Sequence, residues 1–279
     1  MKKFAWGVRI TVLALLIWAI IWNKAVEVTE LPLSLADLPD DFSGFRIAHV
    51  SDLHNTEFGK DNEQLLKHLR GTNPDIIAIT GDIVDSRRTD TAVALDFLEE
   101  AVKIAPCYYV TGNHEGRISG YRDFKKAMEA LGVTVLENKK VTLSKENASI
   151  TLMGIDDPNV ANDGNYGTPE VVTAVRIRKL QAEADGFTVL LSHRPDLFDV
   201  YVESGVDLVL SGHVHGGQFR LPFVGGLYAP SQGFFPEFDA GAYHKENTTM
   251  VVSRGLGNSV FPLRFHNRPE ILLLILSKQ

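Results

Sequence analysis

Residues 45–54 read Phe-Arg-Ile-Ala-His-Val-Ser-Asp-Leu-His. The apolar run 45–50 has the length of a buried strand, and it stops abruptly at Ser51 and Asp52, with His54 two residues further on. Four later apolar runs stop in the same way, each followed closely by an aspartate, asparagine or histidine. They are residues 75–80, 107–111, 187–191 and 206–210, which lead to Asp82, Asn113, His193 and His213. This repeated pattern predicts a sheet whose strand ends carry the chemistry of the protein.

Segments with apolar residues at helical spacing separate several of these runs. They are residues 62–70, 91–104 and 121–131. Strands that alternate with helices predict an α/β fold with a sheet that is parallel at least at its start. Further apolar runs follow without helices between them and predict a meander, so we expect two sheets rather than one. These runs are residues 133–136, 141–143 and 149–153, and two more strands are predicted at residues 249–253 and 271–276.

The first residues form a separate segment. Residues 4–22 are almost entirely apolar, and about 19 residues are just enough for a helix to cross a bilayer. All the tryptophans of the chain lie near the two ends of this segment, where interfacial aromatic residues occur in membrane proteins. They are Trp6, Trp18 and Trp22. A cleaved signal peptide is the main alternative, but the sequence after this segment contains no small-x-small cleavage site. A buried core helix is the other alternative, and it would not explain the clustered tryptophans. We therefore predict an uncleaved N-terminal transmembrane helix within residues 1–24 and a catalytic domain at residues 25–279.

Charge around this segment predicts its orientation. Lys2, Lys3 and Arg9 precede it or lie early in it, whereas Lys24 after it is followed by two glutamates. The positive-inside rule then puts the N-terminus in the cytoplasm. The expected localisation is the cell membrane, with a single pass and an extracytoplasmic catalytic domain.

The overall composition excludes some classes of protein. A formal net charge of −7 argues against a general nucleic-acid-binding protein, because phosphate backbones are held by an excess of Lys and Arg. We expect no stable nucleic-acid partner. Cys107 is the only cysteine, so an internal disulfide is excluded, and its position in an apolar run predicts a buried, unreactive thiol.

The side chains at the strand ends have the chemistry of a metal site. They include carboxylates, imidazoles and an amide oxygen but no thiolate, which suits Mn, Fe, Zn or Mg rather than a structural zinc. Each piece alone is weak evidence. Gly-Asp is most often a turn, Asn113 can cap a helix, and a lone His193 is more often a loop histidine. Only His213 and His215, one residue apart, are moderately specific, so the prediction rests on all five pieces occurring in order at the ends of apolar runs.

The ordered series resembles the calcineurin-like metallophosphoesterase superfamily, from about residue 45 to the C-terminus. Its pieces are Asp52-x-His54, Gly81-Asp82, Gly112-Asn113-His114-Glu115, His193 and Gly212-His213-Val214-His215. Residues 154–158, 212–218 and 253–257 resemble more narrowly a bacterial subgroup, whose members commonly carry an N-terminal membrane segment or an export signal. The resemblance implies a four-layer α/β/β/α sandwich, the metallo-dependent phosphatase fold, with two divalent metal ions between the sheets.

The resemblance also implies a role for each motif residue. The first metal ion would be bound by Asp52, His54, Asp82 and His215. The second would be bound by Asp82, Asn113, His193 and His213, so that Asp82 bridges the two ions. His114 matches the catalytic histidine that faces the leaving group without binding metal. Asp85 is more ambiguous, and a turn residue is the favoured interpretation over one that orients the site.

The implied activity is that of a two-metal hydrolase, a phosphodiesterase or phosphomonoesterase. A metal-bound hydroxide would attack phosphorus while His114 donates a proton or a hydrogen bond to the departing oxygen. The alternative is a membrane-associated pyrophosphohydrolase that cleaves a nucleotide–lipid diphosphate such as a lipid A precursor. A metal-dependent scaffold without catalysis is disfavoured by the intact motif set. The membrane segment makes a lipid or cell-envelope phosphoester one candidate substrate, and the fold alone does not choose among substrates.

Two further features are candidates for substrate contacts. Four arginines lie close to the motifs and are candidates to hold a phosphate group. They are Arg87, Arg88, Arg117 and Arg194. The loop at residues 158–169 is a candidate wall of the substrate pocket.

Overall fold

The computed structural model describes residues 6, 9–10, 13, 17, 20–160, 167–258 and 261–279. Its strands, in chain order, are β1 Glu27–Leu35, β2 Arg46–Val50, β3 Ile76–Ile79, β4 Cys107–Tyr109, β5 Thr134–Val135, β6 Lys139–Lys145, β7 Ala148–Gly154, β8 Thr188–Leu191, β9 Leu208–Ser211, β10 Arg220–Leu221, β11 Gly225–Gly226, β12 Tyr228–Ala229, β13 Gly233–Phe234, β14 Gly241–Lys245, β15 Thr248–Val252 and β16 Glu270–Lys278. Its α-helices are α1 Glu63–Gly71, α2 Thr91–Ala101, α3 Tyr121–Ala130, α4 Pro169–Gln181 and α5 Phe198–Glu203.

Two six-stranded sheets organise these elements. The first has the strand order β1-β16-β2-β3-β4-β5, and the second has the order β14-β15-β9-β8-β7-β6. Strands β2 to β5 are parallel to one another, as are β7, β8, β9 and β15. The carboxyl ends of parallel neighbours lie at one edge of a sheet, so the loops that follow them come together there.

The apolar residues of the strands alternate between two cores, because successive side chains of a strand point to opposite faces. In β2, Ile47 belongs to the core between the sheets, whereas Ala48 packs in the core that includes α1, α2 and α3. In β9, Leu208 faces the core between the sheets and Val209 packs with α4 and α5. The layers therefore run helices, sheet, sheet, helices. This order confirms the prediction of a two-sheet α/β fold.

The predicted helices lie close to their expected places. In α1, Leu65, Leu66 and Leu69 are the buried residues, as their spacing requires. Helix α2 begins after Asp90, whose side chain accepts a hydrogen bond from the backbone N–H of Ala92 at 3.0 Å. This N-cap satisfies one of the free donors of the first turn.

Two sequence interpretations differ from the structure. The predicted meander was wrong for β5, which pairs in parallel with β4 in the first sheet, whereas β6 pairs with β7 in the second. Helix α3 precedes β5, so the pair β4 and β5 is joined by an ordinary β-α-β crossover. Helix α4 was not predicted, because two polar residues, Thr173 and Arg176, are buried on its inner face and obscure the apolar stripe.

Much of the predicted transmembrane helix, like residues 161–166 of the predicted pocket loop, lies outside the described residues. Among the residues that the structure does describe, no helix is long and apolar enough to cross a membrane. Cys107 is buried as predicted, and burial raises the pKa of its thiol to about 12.

Candidate metal centre

The loops that follow β2, β3, β4, β8 and β9 converge at one place between the sheets. They bring together all the residues predicted as metal ligands, and the predicted catalytic histidine lies with them. These are Asp52, His54, Asp82, Asn113, His114, His193, His213 and His215, and every one is buried. The structure therefore gathers residues that are up to 163 positions apart, Asp52 and His215, into a single cluster.

One half of the cluster consists of Asp52, His54 and His215. Nε2 of His54 lies 3.2 Å from Nε2 of His215. Oδ1 of Asp52 lies 3.5 Å from Nε2 of His215 and 3.8 Å from Nε2 of His54. Two imidazoles and a carboxylate that direct their ligand atoms at one point have the arrangement of a divalent-cation site.

The other half consists of Asp82, His193 and His213. Nε2 of His193 lies 3.2 Å from Nδ1 of His213 and 3.3 Å from Oδ2 of Asp82. The same Oδ2 atom lies 3.7 Å from Nε2 of His54 in the first half. Asp82 is therefore placed between the two halves, where one carboxylate can serve both.

Asn113 lines the same cavity as Asp82 and His213. Its Oδ1 atom is buried and has no hydrogen-bond partner among the described residues. An unpartnered buried carbonyl oxygen is unfavourable unless something else binds it. An amide oxygen beside imidazoles and a carboxylate suits a divalent cation, so the residues present fit a metal ion at this position.

A hydrogen bond behind His193 sets which of its ring nitrogens is free. Nδ1 of His193 lies 2.6 Å from the carbonyl oxygen of Thr80. A carbonyl oxygen only accepts, so in the neutral ring the proton is on Nδ1 and the lone pair of Nε2 points into the cluster. Nδ1 of His215 lies 3.2 Å from the carbonyl oxygen of Gly257.

The backbone of the cluster is strained. Asp52, His54, Asp82, His213 and His215 all have φ between 45° and 72°, in the left-handed region that non-glycine residues rarely adopt. Such conformations persist when surrounding contacts over-determine them, and they concentrate at functional sites.

Two glycines allow the loops to approach one another. A Cβ atom on Gly112 would lie 2.2 Å from Oδ1 of Asp82, and one on Gly212 would lie 1.9 Å from Oγ of Ser51. Both distances are far too short, so these glycines are needed for the packing of loop on loop.

Glu115 holds the loops after β3 and β4 together, and the sequence interpretation assigned it no role. It is fully buried, and its two carboxyl oxygens accept backbone N–H groups of Asp82, Ile83, Val84 and Gly112. Burial, followed by the charge of Asp82, raises the pKa of Glu115 to about 7. The only sequence signal for this residue was its place at the end of Gly-Asn-His-Glu.

Asp156, from the segment 154–158, links the two sheets. Its Oδ1 atom accepts a hydrogen bond from the hydroxyl of Thr111, which follows β4, at 2.8 Å. The same hydroxyl oxygen accepts the backbone N–H of Asp157 at 3.1 Å. Thr111 thus connects the end of β4 in the first sheet to the loop after β7 in the second.

Arg264 is a second residue that sequence reasoning missed. Its side chain is fully buried, with Nη2 3.3 Å from Nδ1 of His215 and Nη1 donating to the carbonyl oxygen of Arg254 at 2.7 Å. No motif marks it, since it is near the site only through the tertiary fold.

The electrostatics of the cluster keep its carboxylates ionised. Burial alone would raise the pKa of Asp82, but nearby imidazoles, His193 first, hold it well below its usual range. Burial lowers the pKa of His215 to about 3 and also lowers that of His213. Ionised carboxylates and neutral imidazoles are the protonation states that metal ligands need.

His193 is the exception, because Asp82 outweighs burial and raises its pKa to about 10. It must therefore release a proton when it binds a cation.

His114 lies beside this cluster, with Nε2 4.0 Å from Oδ2 of Asp82. Its other nitrogen, Nδ1, accepts the backbone N–H of Ser86 at 3.0 Å and lies 3.5 Å from Oδ1 of Asp85. Asp85 also accepts the backbone N–H of Arg87 at 2.9 Å. Asp85 is thus a turn residue, as predicted, and it also lies against the ring of His114.

A cavity of about 580 Å³ opens onto the cluster. Asp82, Asn113, His114, His213 and His215 line one wall. Three of the four candidate arginines line it as well, namely Arg87, Arg117 and Arg194, whereas Arg88 lines a separate cavity. The positive side chains around this opening suit an anionic group.

Residues 45–217 match the family model described as calcineurin-like phosphoesterase, and this region contains all the residues of the cluster. The chain belongs to the calcineurin-like phosphoesterase family. Membership of this family makes it a metal-dependent hydrolase, in agreement with the cation-suited cluster.

Several curated proteins are similar over most of the chain. The uncharacterized metallophosphoesterase YkuE of Bacillus subtilis (strain 168) is 33% identical over 258 residues, which cover 90% of this chain and 85% of that protein. The phosphodiesterase YaeI of Escherichia coli (strain K12) is 28% identical, with 86% of this chain and 85% of that protein covered. A Danio rerio protein named transmembrane protein with metallophosphoesterase domain is 28% identical, with 97% of this chain and 63% of that protein covered.

Proposed function

We propose that this calcineurin-like phosphoesterase is a two-metal phosphodiesterase or phosphomonoesterase whose bridging ligand is Asp82. The observation that carries the proposal is the position of Oδ2 of Asp82, 3.3 Å from Nε2 of His193 and 3.7 Å from Nε2 of His54. A single carboxylate oxygen within reach of ligand atoms on both sides is the arrangement that two neighbouring cations require.

The proposed ligand sets divide along the two halves of the cluster. The first ion would be bound by Asp52, His54, Asp82 and His215, and the second by Asp82, Asn113, His193 and His213. The short distances between ligand atoms within each half and the unpartnered Oδ1 of Asn113 support this division. Two divalent cations of Mn, Fe, Zn or Mg supply Lewis acidity toward the phosphoryl oxygens and a lowered pKa for bound water.

The chain's own residues orient and protonate the substrate. His114 presents Nε2–H beside the cluster, since its Nδ1 accepts from Ser86. It donates a hydrogen bond to the departing ester oxygen as negative charge develops there. Arg194 is held by Asp196 through two hydrogen bonds of 2.9 and 2.7 Å, so its guanidinium is pre-oriented at the cavity wall. It contacts the phosphate group of the substrate.

We also propose a membrane location. In this proposal residues 1–24 contain an uncleaved anchor, and residues 25–279 form the catalytic domain outside the cytoplasm. The apolar character of residues 4–22 and the basic residues before it support the anchor and its orientation. The transmembrane name of the Danio rerio relative is consistent with it.

The proposed chemistry is tested by metal reconstitution. The full chain is purified in detergent, treated with a chelator and reloaded with Mn, Fe, Zn or Mg in turn. It is then assayed on phosphomonoesters, phosphodiesters and diphosphates. We expect hydrolysis of esters only after reloading, with two ions bound for each active chain. A single bound ion at full activity, or diphosphate cleavage without ester cleavage, would contradict the proposal.

A further inference from the structure

Exposed apolar side chains are concentrated in two parts of the chain. Of the sixteen large apolar residues that are exposed within the described ranges, eight lie in residues 221–265 and six in residues 6–21. Single exposed apolar residues are ordinary on protein surfaces, but concentrated ones mark interaction sites. We name six residues of the first group the aromatic rim: Leu221, Phe223, Val224, Phe234, Phe235 and Phe261.

Two short hairpins carry most of the aromatic rim. The first pairs β10 with β11 and holds Phe223 at its turn, where the side chain is completely exposed. The second pairs β12 with β13 and ends in Phe234 and Phe235, whose exposed fractions are 72% and 60%. Aromatic side chains contribute most of the apolar area that is buried at interfaces. The exposure of three phenylalanines on these hairpins to water is therefore unfavourable.

The hairpins are attached directly to the metal centre. In the turn between β12 and β13, Oγ of Ser231 lies 3.4 Å from Nε2 of His213 and accepts a hydrogen bond from Arg194 at 2.9 Å. The first hairpin packs closely on the turn that follows His215. Gly217 in this turn lies so near to Gly226 of β11 that an added Cβ atom would be only 2.3 Å from Cα of Gly226. Whatever the aromatic rim contacts is therefore held beside the catalytic cavity.

The aromatic rim is also continuous with the end of the N-terminal segment. The ring of Phe219, next to β10, packs on Phe261 with centroids 5.1 Å apart. Three residues further along, the backbone N–H of Arg264 donates to Oδ1 of Asn23 at 2.7 Å, and Nδ2 of Asn23 donates to the carbonyl oxygen of Arg264 at 3.1 Å. Ile20 lines a cavity of about 830 Å³ together with Leu263 and with His54 of the metal centre.

The N-terminal segment indicates what kind of partner the aromatic rim contacts. Trp6, Ile10, Leu13, Ile17 and Ile20 are all exposed, and the sequence of residues 4–22 that contains them is almost entirely apolar. The hydrogen bonds between Asn23 and Arg264 tie the end of this apolar segment to the part of the chain that follows Phe261 of the aromatic rim. Aromatic side chains beside a long apolar segment are typical of the boundary between a bilayer and water.

We propose that the aromatic rim inserts into the surface of a lipid bilayer and holds the metal centre against the headgroups. The substrate is then the phosphoester of a membrane lipid. The substrate part of this proposal rests on the proposed phosphoesterase function, whereas the membrane-binding part does not.

Spin labels test the membrane contact without any need for activity. Cys107 is buried, so a cysteine placed on the aromatic rim is labelled selectively. Phe223→Cys and Phe234→Cys are labelled with a nitroxide in the full chain, and Val171→Cys on the exposed side of α4 is the matched control. The chain is reconstituted in nanodiscs of phosphatidylglycerol and phosphatidylcholine. We expect the labels at 223 and 234 to gain contact with dissolved oxygen and lose contact with a polar nickel complex, while the label at 171 does neither.

Labels at 223 and 234 that stay as accessible to nickel as the control would overturn the membrane contact. Protection that appears without lipid and increases with protein concentration would overturn it as well, because a second copy would then cover the surface.

Activity tests the substrate class separately. The double variant Phe223→Ser and Phe234→Ser is assayed on a soluble nitrophenyl phosphodiester and on phospholipid vesicles of the same composition as the nanodiscs. We expect kcat/KM to fall about tenfold or more on vesicles and to stay unchanged on the soluble ester. An equal change on both substrates, or soluble-ester hydrolysis by the wild type without any lipid hydrolysis, would overturn the lipid substrate. Absence of hydrolysis of either substrate by the metal-loaded wild type would instead contradict the proposed function.

Discussion

The backbone N–H of Ser86 donates a hydrogen bond to Nδ1 of His114 at 3.0 Å. A ring nitrogen that accepts a hydrogen bond cannot carry the proton of a neutral imidazole, so that proton is on Nε2. Burial lowers the pKa of His114, which favours the neutral ring. The N–H group of His114 therefore points toward the side of the cluster where Asp82 lies, 4.0 Å away. Ser86 thus determines which end of the ring is available to a leaving group.

His114→Ala should retain both metal ions while turnover falls by about 10²–10⁴, the usual contribution of a positioned proton or hydrogen-bond donor. The loss should be greater for alkyl esters than for nitrophenyl esters, because a poor leaving group needs more help from a donor. Metal analysis and turnover on both ester types measure this. Equal losses on the two esters would contradict donation by His114.

Asp82→Asn should weaken binding at both metal positions at once and nearly abolish turnover. The amide keeps the shape of the carboxylate but removes the charge from the atom within 3.7 Å of both His54 and His193. Metal content per chain and ester hydrolysis are measured together, with Asp199→Asn as an exposed control. Two tightly bound ions in the Asp82 variant would disprove the bridging role.

Glu115→Gln should destabilise the fold and weaken metal binding together. One carboxyl oxygen becomes an amide nitrogen, so at least two of the buried N–H donors of Asp82, Ile83, Val84 and Gly112 lose their acceptor. Each unsatisfied donor costs about 1–3 kcal/mol, which predicts a loss of about 2–6 kcal/mol in the free energy of unfolding. Urea unfolding measures it, and the exposed Glu99→Gln is the control. Unchanged stability of the Glu115 variant would show that the protein does not depend on these bonds.

Asp156→Asn should stabilise the protein relative to wild type more at pH 8 than at pH 5. Burial, and then the charge of Glu137, raises the pKa of Asp156 from 3.8 in the unfolded chain to about 7 in the fold. The fold therefore favours the protonated acid, and the stability that this group contributes below pH 4 is lost as the pH rises to 7. The loss amounts to a few kcal/mol, at about 1.4 kcal/mol for each tenfold change in the ionisation constant.

Urea unfolding of both proteins at pH 5 and pH 8 checks this expectation, with the exposed Asp61→Asn as the control. The same difference between variant and wild type at both pH values would mean that Asp156 ionises normally in the fold.

The proposed orientation of the N-terminal anchor predicts which compartment contains the catalytic domain. A protease added to cells whose outer surface or periplasm has been made accessible should cleave the domain after Trp22, as the basic residues before the apolar segment require. A reporter fused to the C-terminus is the independent measurement. Protection of the domain until the cytoplasmic membrane is breached would reverse the orientation and favour cytoplasmic substrates.

The local pattern of the sequence predicted most of the elements and the side chains that gather in the cluster. Apolar runs that end in Asp52, Asp82, Asn113, His193 and His213 predicted both the strands and the metal-capable side chains. This succeeds because strand and helix periodicities are local, and because parallel strands bring their carboxyl ends to one edge. The sheet to which β5 belongs and the helix α4 were not readable in this way. They depend on crossover geometry and on buried polar residues such as Arg176, whose guanidinium donates to the carbonyl oxygen of Asp156 at 2.8 Å.

Only the tertiary structure decided the distances and contacts within the candidate site. Nε2 of His54 meets Nε2 of His215 at 3.2 Å across 161 positions of sequence, which requires the two sheets to close on each other. The packing of the loops after β3 and β4 places four N–H groups on the carboxylate of Glu115, and Oδ1 of Asn113 is buried without a partner among the described residues. A sequence lists the side chains that can bind a cation or a proton. Their distances and the burial that shifts their pKa values arise only when distant segments pack, because Coulomb and desolvation energies depend on separation in space and not along the chain.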